Sequence, residues 1–333
     1  MKRVGRLMER IVEPDNLRLA WIKTIRGKRD CKSVLVFRKN LEQNLEEIGK
    51  SLSTVTRNWG PYSTFRIFDP KERDITVAPI ADRVAYHAIM NICEEFFDSR
   101  LIYDTYACRR GKGQVAALRR AKDFSAKHKW YLKLDIRHYF ASIDHEILER
   151  LLWRLFKDTL LMKNFSNLIG SYETETGKGI PIGSLTSQYF ANYYLGSLDR
   201  FVKEQLRCRE YVRYMDDFVL WSNSREELRG WKRKLSMFLR EELQLQLKVP
   251  ALNRTEFGIS FLGFRVFPGI LRLSHRGRYR FRRKCRKYMG YYRMGKWTEE
   301  TLAEHLCPLF SFVEQAESIE FRRHVCEEEG ICP

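Results

Sequence analysis

Residues 213–221 read RYMDDFVLW. Two adjacent acids, Asp216 and Asp217, stand between runs rich in β-branched and aromatic residues, a pattern that predicts a β-hairpin with two like charges at its tip. Adjacent acids at an exposed turn commonly do no more than solvate it. Here the flanks are apolar, so the turn ends a buried hairpin, where charge is costly unless a cation neutralises it. A second apolar strand, in YLKLDI, ends on another lone acid, Asp135. If the two strands are neighbours, three carboxylates converge on one point. Hard oxygen ligands of that kind suit Mg²⁺, which takes one or two carboxylates plus substrate phosphates. Two such ions clamp the attacking and leaving oxygens of an in-line phosphoryl transfer. On that arrangement the metal is the missing counter-charge, and it requires the two distant strands to lie side by side.

The remaining pattern supplies the scaffold. Residues 1–60 read as helices and polar connectors ending at the turn NWGPYS. Two β-rich runs follow around Asp69-Pro70, predicting a hairpin. Val84, Ala88, Ile92 and Phe96 recur at helical spacing over 82–97. YACRRGKGQ (106–114) is a basic, glycine-bearing loop, and WYLKLDIRHYF (130–140) begins as a strand. Ser142 is the expected N-cap of the next helix, and a glycine-rich loop opens the helix within 177–202. Ser224 and Glu227 form a capping box before a core stripe of Leu228, Trp231, Leu235 and Leu239. FGISFLGFRVF (257–267) is a strand pair or a bent strand. The order is that of an α+β protein with one central, mainly antiparallel sheet.

The 333 residues carry a formal net charge of +19, which calls for a polyanionic partner: nucleic acid first, an anionic membrane surface second. From Phe257 to Thr298 there is no Asp or Glu, and Arg and Lys alternate with Tyr and Phe, a composition suited to phosphates and bases. No apolar run approaches the ~18 residues needed to span a bilayer. The first residues lack the apolar core of a signal peptide, so a cytoplasmic location and no membrane partner are expected. The eight cysteines are scattered without a C-x-x-C pair and read as free thiols, while a zinc site from His324, Cys326 and Cys332 fits no common spacing.

YMDD with LDIRHYF upstream resembles the palm motifs of reverse transcriptases. PKERDITVAPIADRVAYHAI (70–89) resembles the first motif of that family and YACRRGKG the second. Asp135 lies in the third, GIPIGSLTSQ resembles the fourth, YMDD the fifth and FGISFLGF the seventh, the primer-grip region. All stand in family order. The fourth motif departs from the usual Gln-Gly and Ser-Pro pairs, with Ile182-Gly183 and Ser187-Gln188 in their place. That form resembles the reverse transcriptases of diversity-generating retroelements.

The resemblance implies a right-hand polymerase fold: an N-terminal helical extension (1–64), fingers (65–130), a palm of antiparallel sheet plus helices (131–267, with part of the fingers interleaved) and a short helical basic thumb (268–333). It implies RNA-directed DNA synthesis with two Mg²⁺ ions, Mn²⁺ being a possible substitute. Asp135 and Asp216 would ligate the metals and Asp217 complete the acidic cluster. Lys71 and Arg73 would hold the triphosphate, and Phe140 would form a steric gate against a 2′-hydroxyl. Ile182, in place of a hydrogen-bonding Gln, would relax the check on base-pair geometry, with Gln188 nearby. Arg109, Arg110 and Lys112 would touch template or nucleotide. Arg278, Arg280, Arg282, Arg283, Lys284, Arg286 and Lys287 would grip the RNA–cDNA duplex. Lys248 lies near the family's sixth motif, whose lysine is a general-acid candidate. The implied partners are dNTPs, a template-repeat RNA copied with adenine-directed errors, and a small basic helical-bundle accessory variability protein that forms a ring. The alternatives are a retron or group II intron type of ordinary fidelity, or a non-catalytic RNA-binding module on a polymerase fold.

Overall fold

The structure, a computed structural model, describes residues 3–68 and 72–331. Among the described residues the strands are β1 (Ser63–Ile67), β2 (Arg73–Val77), β3 (Trp130–Asp135), β4 (Tyr211–Tyr214), β5 (Asp217–Ser222), β6 (Ala251–Arg254), β7 (Ile259–Phe261), β8 (Phe264–Phe267) and β9 (Ile270–Leu273). They fall into three sheets rather than one: β1-β2, β4-β5-β3-β6 and β7-β8-β9, every pairing antiparallel. The chain divides into two compact units. The first comprises 1–103, 136–205 and 235–247, the second 104–135, 206–234 and 248–333.

The first unit is mostly helical, with the β1-β2 hairpin attached. The expected helix spans Ile80–Asp98 and is buried on most of its circumference. Cys93 and Phe97 are therefore covered along with Val84 and Ala88, whereas Ile92 and Phe96 are only half-buried. Phe97 meets Phe156, Phe190 and Tyr193, with ring centroids 5.4, 6.1 and 5.5 Å apart. Burying each such ring stabilises the fold by about 1.5–3 kcal/mol. Ser142 does not cap the helix His145–Leu155, because it closes the short 3-10 turn Tyr139–Ser142. Asp144 holds the extended cap conformation instead, and its carboxylate accepts the Ile147 N–H at 3.0 Å.

The second unit holds the other two sheets. Helix Gln114–Lys127 packs on them, with Phe124 against Trp221 at 5.4 Å and the Trp221 Nε1–H donating to Ser125 Oγ at 3.1 Å. Val212, Val219, Phe261, Phe264 and Phe281 share that core. Three helices follow: His275–Arg293, Glu299–Val313 and Ile319–Glu329. The stripe Leu228, Trp231, Leu235 and Leu239 is buried as its spacing predicts. Ser224 Oγ accepts the Glu227 N–H at 3.2 Å, but the Glu227 carboxylate turns to the Ser222 hydroxyl, so only half of the capping box forms.

Candidate active site

β3 alternates. Leu132 and Leu134 are buried on one face, and Tyr131, Lys133 and Asp135 share the other. Antiparallel pairing sets Tyr131 opposite Trp221, Lys133 opposite Val219 and Asp135 opposite Asp217. The neighbouring strands inferred from the sequence are thus neighbours, and two of the three acids are cross-strand partners. Asp217 is not at the hairpin tip but is the first residue of β5. The loop joining Tyr214 to Asp217 is Met215-Asp216, with Met215 at a φ of 55°. That left-handed conformation is uncommon for a side chain of this kind. A group no pattern flagged holds it: Arg213, fully buried on β4, donates from Nη1 to the Met215 carbonyl at 3.0 Å.

Each cross-strand acid meets a lysine. Lys133, two residues before Asp135 on the same face, reaches diagonally to Asp217, with Nζ 3.1 Å from Oδ2. Lys248 donates its backbone N–H to the Asp135 carbonyl at 2.8 Å and its ammonium to Asp135 Oδ1 at 2.5 Å. Asp135 therefore has Asp217 on one side and Lys248 on the other. Asp217 Oδ1 is buried with no hydrogen-bond partner. Burial pushes the Asp217 carboxyl up to about 7 against the opposing pull of Lys133, and the charges of Asp135 and Asp216 push the same way. Among the described residues no group of three or more His, Cys, Asp or Glu side chains stands ready to hold a metal. The donor chemistry nonetheless fits a hard cation: carboxylates at facing strand ends, one buried oxygen bare. A cleft of about 380 Å³ opens beside Asp135, lined among others by Tyr131, Lys133, Lys248, Ser260 and Arg265.

The basic loop of the second motif lies in the same unit. Tyr106 N–H donates to the Arg213 carbonyl and Gly113 N–H to the Tyr106 carbonyl, both at 3.0 Å, which anchors the loop to β4. Arg109 donates to the Thr105 carbonyl at 3.0 Å, Lys112 stands 5.1 Å from the centre of the Tyr106 ring, and Arg110 is exposed.

The seven basic residues named on His275–Arg293 divide by helical angle. Phe281, Cys285 and Met289 face the core. The adjoining face turns to the helix Ile319–Glu329: Arg282 pairs with Glu328 at 3.2 Å and Arg286 with the buried Glu329 at 2.9 Å, and Arg278 and Arg282 lie over Phe321. Arg280, Arg283, Lys284 and Lys287 project on the opposite side, where Arg283 lies over Tyr279 and Lys287 over Tyr291. Arg282 and Arg286 are thus committed to the fold.

The residues expected around the nucleotide belong to the first unit. Arg73 is exposed at the start of β2, and Lys71 lies outside the described residues. Phe140, half-buried in its 3-10 turn, accepts the Ile180 N–H on its carbonyl at 2.9 Å. The Ile182 carbonyl accepts the Thr76 N–H at 2.7 Å, tying the fourth motif to β2. At Gly183, with φ +113°, a Cβ would meet the Thr76 carbonyl oxygen at 2.7 Å, so only glycine fits that approach. Gln188 is half-buried in the helix Leu185–Tyr194. Near the C-terminus, His324 sits 3.2 Å from Glu328, and Cys332 lies outside the described residues.

This arrangement of sheet and hairpin has a polymerase fold. The solved structure of apo telomerase from Candida tropicalis matches it with a TM-score of 0.52 at 10% identity, over 84% of this chain and 63% of that one. The profile of the reverse transcriptase (RNA-dependent DNA polymerase) family matches residues 69–266, more than half of the sequence, and the chain belongs to that family. Among curated relatives, Protein YkfC of Escherichia coli is 21% identical, with 79% of this chain and 83% of that protein covered. The group II intron-encoded protein LtrA of Lactococcus lactis is 24% identical, with 48% and 28% covered. The chain spans about a third or less of the length of the intron-encoded relatives it matches. No described helix is long and apolar enough to cross a membrane.

Proposed function

We propose that the chain is an RNA-directed DNA polymerase that extends a primer with dNTPs at Asp135, Asp216 and Asp217. The observation that carries this reading is the β3-β5 register, which sets Asp135 opposite Asp217 with Asp216 in the adjoining loop, inside the stretch that matches the family. The three carboxylates would hold two divalent ions, Mg²⁺ or Mn²⁺. When bound, such ions supply charge stabilisation to the reacting phosphoryl group. The remaining tasks fall to this chain's own side chains. Lys71 and Arg73 bind the triphosphate. Phe140 excludes a 2′-hydroxyl by clash, and Lys248 stands beside Asp135 where a proton donor to the leaving group is wanted. Arg109, Arg110 and Lys112 orient the template, and the outward stripe of the helix His275–Arg293 holds the duplex. In this reading 1–64 is an N-terminal extension, 65–130 the fingers, 131–267 the palm and 268–333 the thumb.

We further propose the diversity-generating subtype, supported by IGSLTSQ and by Ile182 in particular. An apolar residue cannot supply the hydrogen bond a Gln offers, which removes ~1–3 kcal/mol from base discrimination. The template would be a template-repeat RNA, copied with errors at adenines for retrohoming into a target gene, and the partner a basic ring-forming accessory variability protein. Sequencing of cDNA made from an RNA template tests this: errors cluster at template adenines, and Ile182→Gln reduces them. An unchanged error spectrum in that variant removes Ile182 from the account. The second reading is a group II intron-type enzyme of ordinary fidelity, favoured by the similarity to LtrA. Accurate copying selects it.

A further inference from the structure

Lys133 is paired in a way that the polymerase reading does not use. Its ammonium sits 3.1 Å from one oxygen of Asp217, while the other oxygen is buried without a hydrogen-bond partner. A permanent structural salt bridge would be expected to satisfy both oxygens, because an unpaired buried acceptor is costly. Lys133 is held by its strand alone, two residues from Asp135, and its side chain is 22% exposed, so the ammonium has a route to water. Lys248 differs, since its backbone N–H is itself bonded to Asp135. An ammonium and a divalent cation repel, and they compete for the same carboxylate.

We propose that Lys133 is a resident counter-ion, a positioning residue that occupies Asp217 until a divalent cation displaces it. The bare Oδ1 is then an acceptor that gains a partner once the carboxylate turns to the ion. This rests on the reading of the acids as a metal site. Lys133 keeps the strand ends from repelling before the metal arrives, and it sets the metal concentration the enzyme needs.

The test uses the full chain without nucleotide or nucleic acid, and follows Mn²⁺ binding through the electron paramagnetic resonance signal of the free ion. Lys133→Met should bind Mn²⁺ roughly tenfold more tightly, a gain of about 1.4 kcal/mol, and should melt at a lower temperature in EDTA. Lys133→Arg should keep the wild-type affinity. In the wild type, the acetylation rate of the Lys133 amine, read by peptide mass spectrometry, should rise several-fold when Mn²⁺ is added, and this holds even if Lys133→Met does not fold. Unchanged or weaker Mn²⁺ affinity in Lys133→Met overturns the proposal, as does a Lys133 acetylation rate indifferent to bound Mn²⁺. If Asp217→Asn binds Mn²⁺ as the wild type does, the ion is not on Asp217, and the proposal falls together with the metal reading beneath it.

Discussion

A carboxylate at the end of a strand costs little in water and much at the rim of a core. Asp217 follows the buried loop anchor Arg213 and precedes Phe218 and Val219, both fully buried, and its carboxyl is pushed up to about 7 as a result. A folded-state value above the ordinary 3.8 means that the folded chain holds its proton longer than the unfolded one. In EDTA the penalty is absent below about pH 4, grows as pH rises, and is complete above about pH 7, with an upper bound of roughly 4 kcal/mol. Asp217→Asn should therefore flatten the fall of melting temperature between pH 5 and pH 8 in metal-free buffer; an identical slope in the variant contradicts this origin. The acids were readable from sequence because adjacent charges inside a hydrophobic hairpin stand out. Lys133 was not, since a lysine alternating with apolar residues in a strand looks like a solvated face, and Lys248 was named only through its nearness to the sixth motif, with nothing to show that it would pair with Asp135. Arg213 left no signal, because nothing in a linear pattern marks an arginine that will be fully buried.

At the level of elements, the fourth-motif loop and β2 meet backbone to backbone at Thr76 and Gly183. Gly183→Ala forces them apart, and about a tenfold rise in KM for dNTP is expected with kcat less affected, measured by steady-state extension. An unchanged KM would show that the contact does not shape the nucleotide site. On the helix His275–Arg293, Arg283→Glu and Lys287→Glu should each weaken duplex binding and lower the salt slope by about 1. Arg286→Ala should act instead on stability, at a cost of ~1–3 kcal/mol, because Glu329 is left buried without its partner. Urea titration and filter binding separate the two classes. The basic, aromatic character of this helix was readable from residues 272–296. Its division into two faces was not, because the acids that claim Arg282 and Arg286 lie about forty residues further on. The strands were likewise readable, but not their partition into three sheets, since pairing depends on contacts distant in sequence.

For the whole molecule, the proposed reading together with a net charge of +19 predicts that binding to nucleic acid weakens steeply with salt. The motif order, the match over residues 69–266 and the cross-strand acids all bear on one central claim, that this chain makes DNA on an RNA template. The most direct test is primer extension on an RNA template with Mg²⁺ and dNTPs, comparing wild type with Asp216→Ala at equal, circular-dichroism-verified folding. The expected result is DNA product from the wild type and a loss of at least about a thousandfold in the variant. DNA synthesis that survives Asp216→Ala, or a folded wild type that binds primer–template RNA yet extends nothing, would contradict it.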